Sequence, residues 1–285
     1  MKPVSVDDLK TLYIPPSGSH KGQNGRLLLI GGSHLFHAAS LWALNTASRI
    51  VDLVHYASVP ENNEIVARAK EEFRNGIVVT RPDIDAYIAE DDCILIGVGM
   101  TRDNETETLT NSLLRKYPQK QWVIDAGSLQ MLDLENIPKH AILTPHHGEF
   151  AILWDKAVGA HPEFASYGTD AEKVRKFAAT YDCIVLLKGE KDLVCDGSDC
   201  REIAGGNVGL TKGGTGDVLS GLVAALACKN DPLLAATAGS FINKNAGDAL
   251  FQTVGPYFNA TDLTGEIPKT MNRLFIDRVT SQAVQ

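Results

Sequence analysis

The stretch GNVGLTKGGTGDVLSG, residues 206–221, sets the reading of the whole chain. Its core, GGTGD (213–217), runs straight into VLSGLVAALAC, an apolar pattern of helical period. Glycines ahead of a helix let backbone N–H groups come close to a phosphate, and the positive end of the helix favours the anion. Gly213, Gly214, Thr215 and Gly216 therefore form a candidate anion site. Asp217 falls where an N-cap or first-turn carboxylate sits, and capping the helix is the plain reading. A carboxylate beside a phosphate is repulsive, however, unless it has a task such as deprotonating an acceptor hydroxyl. The spacing fits neither a Walker P-loop nor G-x-G-x-x-G, so this anion site is of another kind.

Outward from this turn, short apolar runs alternate with longer helical segments, the pattern of an open, mostly parallel α/β sheet flanked by helices on both faces. Strands are expected at 26–30, 53–57, 77–80, 93–96, 122–124, 141–143, 183–187 and 192–195. Helices are expected at 39–50, 105–116, 171–179, 217–228, 233–250 and 263–274. No linker, repeat or low-complexity block divides residues 1–285, so one domain is expected. Ligands of such sheets bind at the carboxyl ends of the strands. Asp125 stands at one such end, able to accept a backbone hydrogen bond, orient a metal-bound water or cap a helix. Lys188 ends another and could meet nucleotide phosphate or ribose, or remain a solvated surface lysine.

Of the 285 residues 44% are hydrophobic, enough for a sizeable core, which excludes disorder. Lys and Arg number 27 against 35 Asp and Glu, a net charge of −8. No global basic field exists to hold a nucleic acid or an anionic membrane, and neither partner is expected. The five cysteines, Cys93, Cys183, Cys195, Cys200 and Cys228, are odd in number and lack C-x-x-C spacing, so they read as reduced thiols of a cytoplasmic protein. No apolar stretch reaches membrane-spanning length, and MKPVSVDDLK lacks a signal-peptide core, so the mature chain is expected to start at or near Met1.

Residues 206–221 resemble the signature of the ribokinase-like superfamily and, within it, of the ADP- or ATP-dependent NAD(P)H-hydrate dehydratases. The resemblance recurs in order along the chain. KGQNGRLLLIGGS (21–33) resembles the family's opening strand and glycine turn, and IGVGMTRDNET (96–106) its second glycine turn. VIDAGSL (123–129) is similar to its aspartate-bearing strand end, LTPHHGEF (143–150) to its histidine turn, and LLKGEKDLV (186–194) to its nucleotide-side lysine turn. DLTGEIPKTMNRL (262–274) resembles its closing helix.

The resemblance implies a ribokinase-like α/β fold and a lyase that restores hydrated NADH or NADPH, by phosphorylating the ring hydroxyl with ADP or ATP and then eliminating phosphate. It implies Asp217 as base, with Gly214, Thr215 and Gly216 holding the phosphoryl group. Ala39, Gly99, Thr101 and His146 would face the substrate. Lys188, Gly189, Glu190, Lys191, Asp192, Gly213 and Gly216 would line the nucleotide, with Asn207, Asp125 and Glu149 in support. Mg2+ would come on the nucleotide phosphates, with no protein ligand assigned. A homo-oligomer such as a tetramer is also implied. The short lead before Gly22 has no room for the epimerase domain that precedes many relatives, so a separate NAD(P)H-hydrate epimerase is expected.

The chain departs from the family pattern in four places. Thr101 replaces a third glycine, His147 a proline, and Glu190, Lys191 and Asp192 small uncharged residues, while Asn243 and Lys244 stand where the late helix has His-Gly. The alternatives are a small-molecule kinase for a hydroxymethylpyrimidine, a thiazole alcohol or a sugar, and a non-catalytic nucleotide-binding module.

Overall fold

The apolar runs are strands covered on both faces, which is why they read as continuous rather than alternating hydrophobics. In the computed structural model, which describes residues 3–277, nine strands form one sheet. They are β1 (Arg26–Ile30), β2 (Leu53–Ala57), β3 (Ile77–Val79), β4 (Cys93–Ile96), β5 (Gln121–Ile124), β6 (Ile142–Leu143), β7 (Ile184–Leu187), β8 (Asp192–Cys195) and β9 (Cys200–Ile203). Their order is β3-β2-β1-β4-β5-β6-β7-β8-β9. The pairs from β3 to β7 are parallel, and β8 and β9 close that edge as an antiparallel hairpin.

Side chains alternate between two cores. Leu27 and Leu29 of β1 join one, and Leu28 and Ile30 the other. The first core lies under α1 (His37–Ala47), α2 (Pro60–Phe73), α8 (Thr215–Ala227), α9 (Pro232–Val254) and α10 (Ala260–Met271). The second lies under α3 (Ile84–Glu90), α4 (Asn104–Lys116), α5 (Ala126–Met131), α6 (His147–Ala160) and α7 (Asp170–Tyr181). Among the described residues no helix is long and apolar enough to cross a membrane.

The strand order reverses between β1 and β4, the switch point where α/β sheets bind ligands. The carboxyl ends of β5, β6 and β7 meet α8, where Asp125 and Thr144 reach the Ser220 hydroxyl and Lys188 lies beside Gly216.

The structure adds to the expected elements and corrects one expectation. β9 was not anticipated because its sequence, CREI, is polar and only Ile203 is buried. Helix α2 buries only Asn62 and Val66, so it carries little apolar periodicity, and α3, α5 and α6 were likewise not anticipated. The correction concerns the cysteines, which were read as reduced throughout. Cys195 and Cys200 form a disulfide, because the β8–β9 register sets them directly opposite each other. Cys93, Cys183 and Cys228 are free thiols.

Candidate active site

Helix α8 begins at Thr215, with Gly214 as its N-cap at φ 94°. A side chain there would be strained in this left-handed conformation, and its Cβ would stand 2.5 Å from the Trp42 ring. Thr215 closes the turn, its hydroxyl donating to the carbonyls of Leu210 at 2.6 Å and Lys212 at 2.8 Å. The Thr215 N–H donates to the Lys212 carbonyl at 3.3 Å, so an anion at this helix start would fall to the N–H groups that follow it.

Behind this turn lies a buried ionic knot. Asp125, 2% exposed at the end of β5, accepts from the Lys188 ammonium at 3.0 Å and from the Ser220 hydroxyl. Lys188 comes from the end of β7 and Ser220 from the second turn of α8, so one carboxylate ties two strands to the helix that carries the anion site. Asp125 occupies the N-cap position of α5, but its carboxylate makes no capping hydrogen bond there and turns to Lys188 and Ser220 instead. Ala126, the first residue of α5, has φ 47°, a left-handed conformation costing about 1 kcal/mol. Lys188 is therefore not a solvated surface lysine. Burial works to drive off its proton, but Asp125, Glu149 and Asp217 outweigh it and hold the ammonium above its ordinary range.

Two cavities meet at the turn. One, of about 370 Å³, is lined by Asp217 together with Ala39, Gly99, Thr101, Gln130 and Glu149. Gly99 and Ala39 sit back to back, since a Cβ on Gly99 (φ 69°) would stand 2.9 Å from that of Ala39. Thr101 turns its hydroxyl to Asp103, the N-cap of α4, so the missing third glycine becomes part of a helix cap. Glu149 accepts from the His146 backbone at 2.9 Å and from Gln130 at 3.4 Å.

The other cavity, of about 680 Å³, is lined by Thr215 and Gly216 with Lys188, Gly189, Glu190, Asp192 and Asn207, among others. Both volumes are in the range of small-molecule sites. An apolar cavity of about 250 Å³ at the opposite end of α8, beside Leu226, carries no comparable group of titratable residues.

Asp217 sits on the divide, and among the described residues no side chain of opposite charge contacts it. Its carboxyl is pushed up to about 7, first by burial and next by the Asp125 carboxylate. Lys188 pulls it back, and Glu149 adds a further push. An acid poised near neutrality in a cleft is suited to take and release a proton.

Most residues singled out in the sequence line one cavity or the other, with five qualifications. His146 is the N-cap of α6, its ring accepting from the Glu149 N–H at 3.2 Å, and it lines the cavity of Lys188 rather than that of Asp217. His147 is the first residue of α6, a position that suits proline because its N–H is free of the helix, and it pairs with Asp170 at 3.3 Å. Lys191 points away from both cavities to Glu202 at 2.9 Å. Asp192 is buried, bonding Ser240 at 2.7 Å and the Gly189 N–H at 2.9 Å. Gly213 is exposed on the turn and lines neither cavity.

Ser220, Asp248 and Lys244 were not picked out as site residues. Asp248 holds the loop before α8, accepting from the Gly206 N–H and the Asn207 amide, both at 3.0 Å. Lys244 is 5% exposed, and its ammonium donates to the carbonyls of Gly189, Glu190 and Gly205 at 3.1, 2.9 and 3.2 Å. It also lies 3.4 Å from Asp192. The signal for Ser220 and Lys244 was a polar residue inside an otherwise apolar helix.

Comparison with known proteins places the chain in a family. A family model described as NAD(P)H-hydrate dehydratase matches residues 27–269. The bifunctional NAD(P)H-hydrate repair enzyme of Methanocaldococcus jannaschii is 35% identical over 278 residues, covering 94% of this chain and 52% of its own length. The chain thus spans about half the length of the bifunctional relatives it matches. The ADP-dependent (S)-NAD(P)H-hydrate dehydratase of Nitrosopumilus maritimus is 35% identical over 278 residues, with 91% of this chain and 93% of its own covered.

Among solved structures, a ribokinase-like superfamily protein of Enterococcus faecalis aligns with a TM-score of 0.83 at 21% identity, covering 96% of both chains. The ADP/ATP-dependent NAD(P)H-hydrate dehydratase of Bacillus subtilis, co-crystallized with ATP/Mg2+, aligns at 0.79 and 22% identity over 95% of this chain and 97% of its own. At these identities the likeness establishes the ribokinase-like fold. Together with the family match, it shows that the chain belongs to the NAD(P)H-hydrate dehydratase family.

Proposed function

We propose that this chain restores hydrated NADH or NADPH at the expense of ADP or ATP, with the hydrated ring in the Asp217 cavity and the nucleotide in the Lys188 cavity. The observation that carries this reading is the position of Asp217 and Gly216 on opposite sides of one turn, each facing its own cavity. An acceptor held on one side and a phosphoryl donor on the other can then meet at the helix start.

The ring hydroxyl is a poor leaving group. Asp217 takes its proton as its oxygen forms a bond to the terminal phosphorus and the bridging P–O bond of the nucleotide breaks. The N–H groups around Gly214–Gly216 stabilise the charge on the transferred group. The ring nitrogen's lone pair then expels phosphate, and the neighbouring ring carbon loses a proton, which restores the dihydronicotinamide.

With Asp217 ionised, Asp125, Glu149 and Asp217 surround the Lys188 ammonium, and that of Lys244 is taken up by three carbonyls and Asp192, so phosphates require further positive charge. Among the described residues no three His, Cys, Asp or Glu side chains stand together as a metal cage. A magnesium ion would accordingly enter on the nucleotide's phosphates, as this hard, strongly hydrated cation commonly does. A cytoplasmic homo-oligomer belongs to the same reading.

Incubation with hydrated NADH and either ADP or ATP tests it. The expected result is recovery of reduced-nicotinamide absorbance with one phosphate released per ring restored. Consumption of nucleotide that leaves a stable phosphorylated alcohol would assign the chain to the kinases instead.

A further inference from the structure

Asn243, in the middle of α9, is 7% exposed and lines the nucleotide-side cavity. Its Oδ1 is buried without a hydrogen-bond partner. Such orphans are rare, because a buried polar group left unpaired loses its hydration for nothing in return. The neighbouring Lys244 cannot serve it, being engaged by three carbonyls and Asp192. The same cavity is lined by Val208, Leu210 and Leu219, apolar surface suited to a flat ring. A carboxamide offers one acceptor and one donor side by side, and its plane can turn to present either. Adenine carries the matching pair, an exocyclic amino group beside a ring nitrogen, whereas guanine and hypoxanthine place a carbonyl oxygen there.

We propose that Asn243 reads the base of the bound nucleotide, accepting a hydrogen bond from the adenine 6-amino group and donating to N7. It is then a specificity-determining residue, standing where the family pattern has histidine. The inference rests on the nucleotide reading of this cavity.

Calorimetric titration of the full chain with ATP, ITP and 7-deaza-ATP, each with Mg2+, tests it without requiring turnover. The wild-type protein is expected to bind ATP about tenfold or more tighter than either analogue. Asn243→Ala, which removes the unpartnered Oδ1, is expected to weaken ATP about tenfold while changing ITP by less than about twofold. Equal affinity of the wild-type protein for ATP and ITP, or an equal loss for both in the variant, would overturn the base-reading role and leave the proposed reaction standing. Failure of every nucleotide to bind would overturn the cavity assignment and the inference together. Base discrimination without recovery of hydrated NADH would support Asn243 and remove the proposed reaction alone.

Discussion

Asp125 and Asp217 are two carboxylates of one site, both withdrawn from bulk water, and they are treated in opposite ways. Asp125 is saturated by Lys188 and Ser220 and fastens two strands to α8. Asp217 receives no such partner and stands in a cavity wall with its carboxyl pushed up to about 7. Burial with a partner makes an anchor, and burial without one makes a base near its working pH. Asp125 contributes twice, because the charge that Lys188 only partly cancels is what lifts Asp217 beyond the effect of burial.

The largest break in this contrast is Asp217→Asn. Turnover of hydrated NADH should fall by about three orders of magnitude with nucleotide affinity retained, as steady-state kinetics and calorimetry would show. The same variant should be the more stable protein at alkaline pH. A carboxyl whose folded pKa lies above its unfolded value destabilises the fold progressively from about pH 4 and fully above about pH 7. Denaturation at pH 8 should therefore favour Asn by up to about 4 kcal/mol, and the advantage should vanish below pH 4.

Lys188→Met attacks the anchor rather than the base. It strands Asp125 as an uncompensated buried charge and should cost about 3 kcal/mol in urea denaturation, much of it recovered when Asp125→Leu is added. Asp125→Asn separates the two carboxylates more gently. By removing a negative neighbour and freeing Lys188 to act on Asp217, it should move the acid limb of kcat/KM to lower pH. The smallest effect is expected at Ala126→Gly, where relief of the left-handed backbone should stabilise the fold by up to about 1 kcal/mol in thermal unfolding.

The same contrast marks what could be read from sequence. Gly213 to Asp217 were legible because glycines, a carboxylate and an apolar helix are contiguous, and strand ends such as Asp125 and Lys188 were legible as polar breaks after apolar runs. The pairing of those two was not, since 63 residues separate them and only the sheet order brings β5 and β7 to either side of β6. The ring of His146 also escaped a local reading, because its direction follows from capping α6, a helix that the sequence pattern did not reveal. The Cys195–Cys200 bond depended on the register of a hairpin whose second strand is too polar to recognise alone. Lys244 was visible as a departure from the family pattern, yet its three carbonyl partners lie on two loops distant in sequence.

The pH dependence of kcat/KM for hydrated NADH, measured from pH 5 to 9 with nucleotide saturating, tests the base assignment most directly. The account predicts activity that falls about tenfold per pH unit below an apparent pKa near 7, where Asp217 takes up its proton. A profile that stays level down to pH 5 would contradict it.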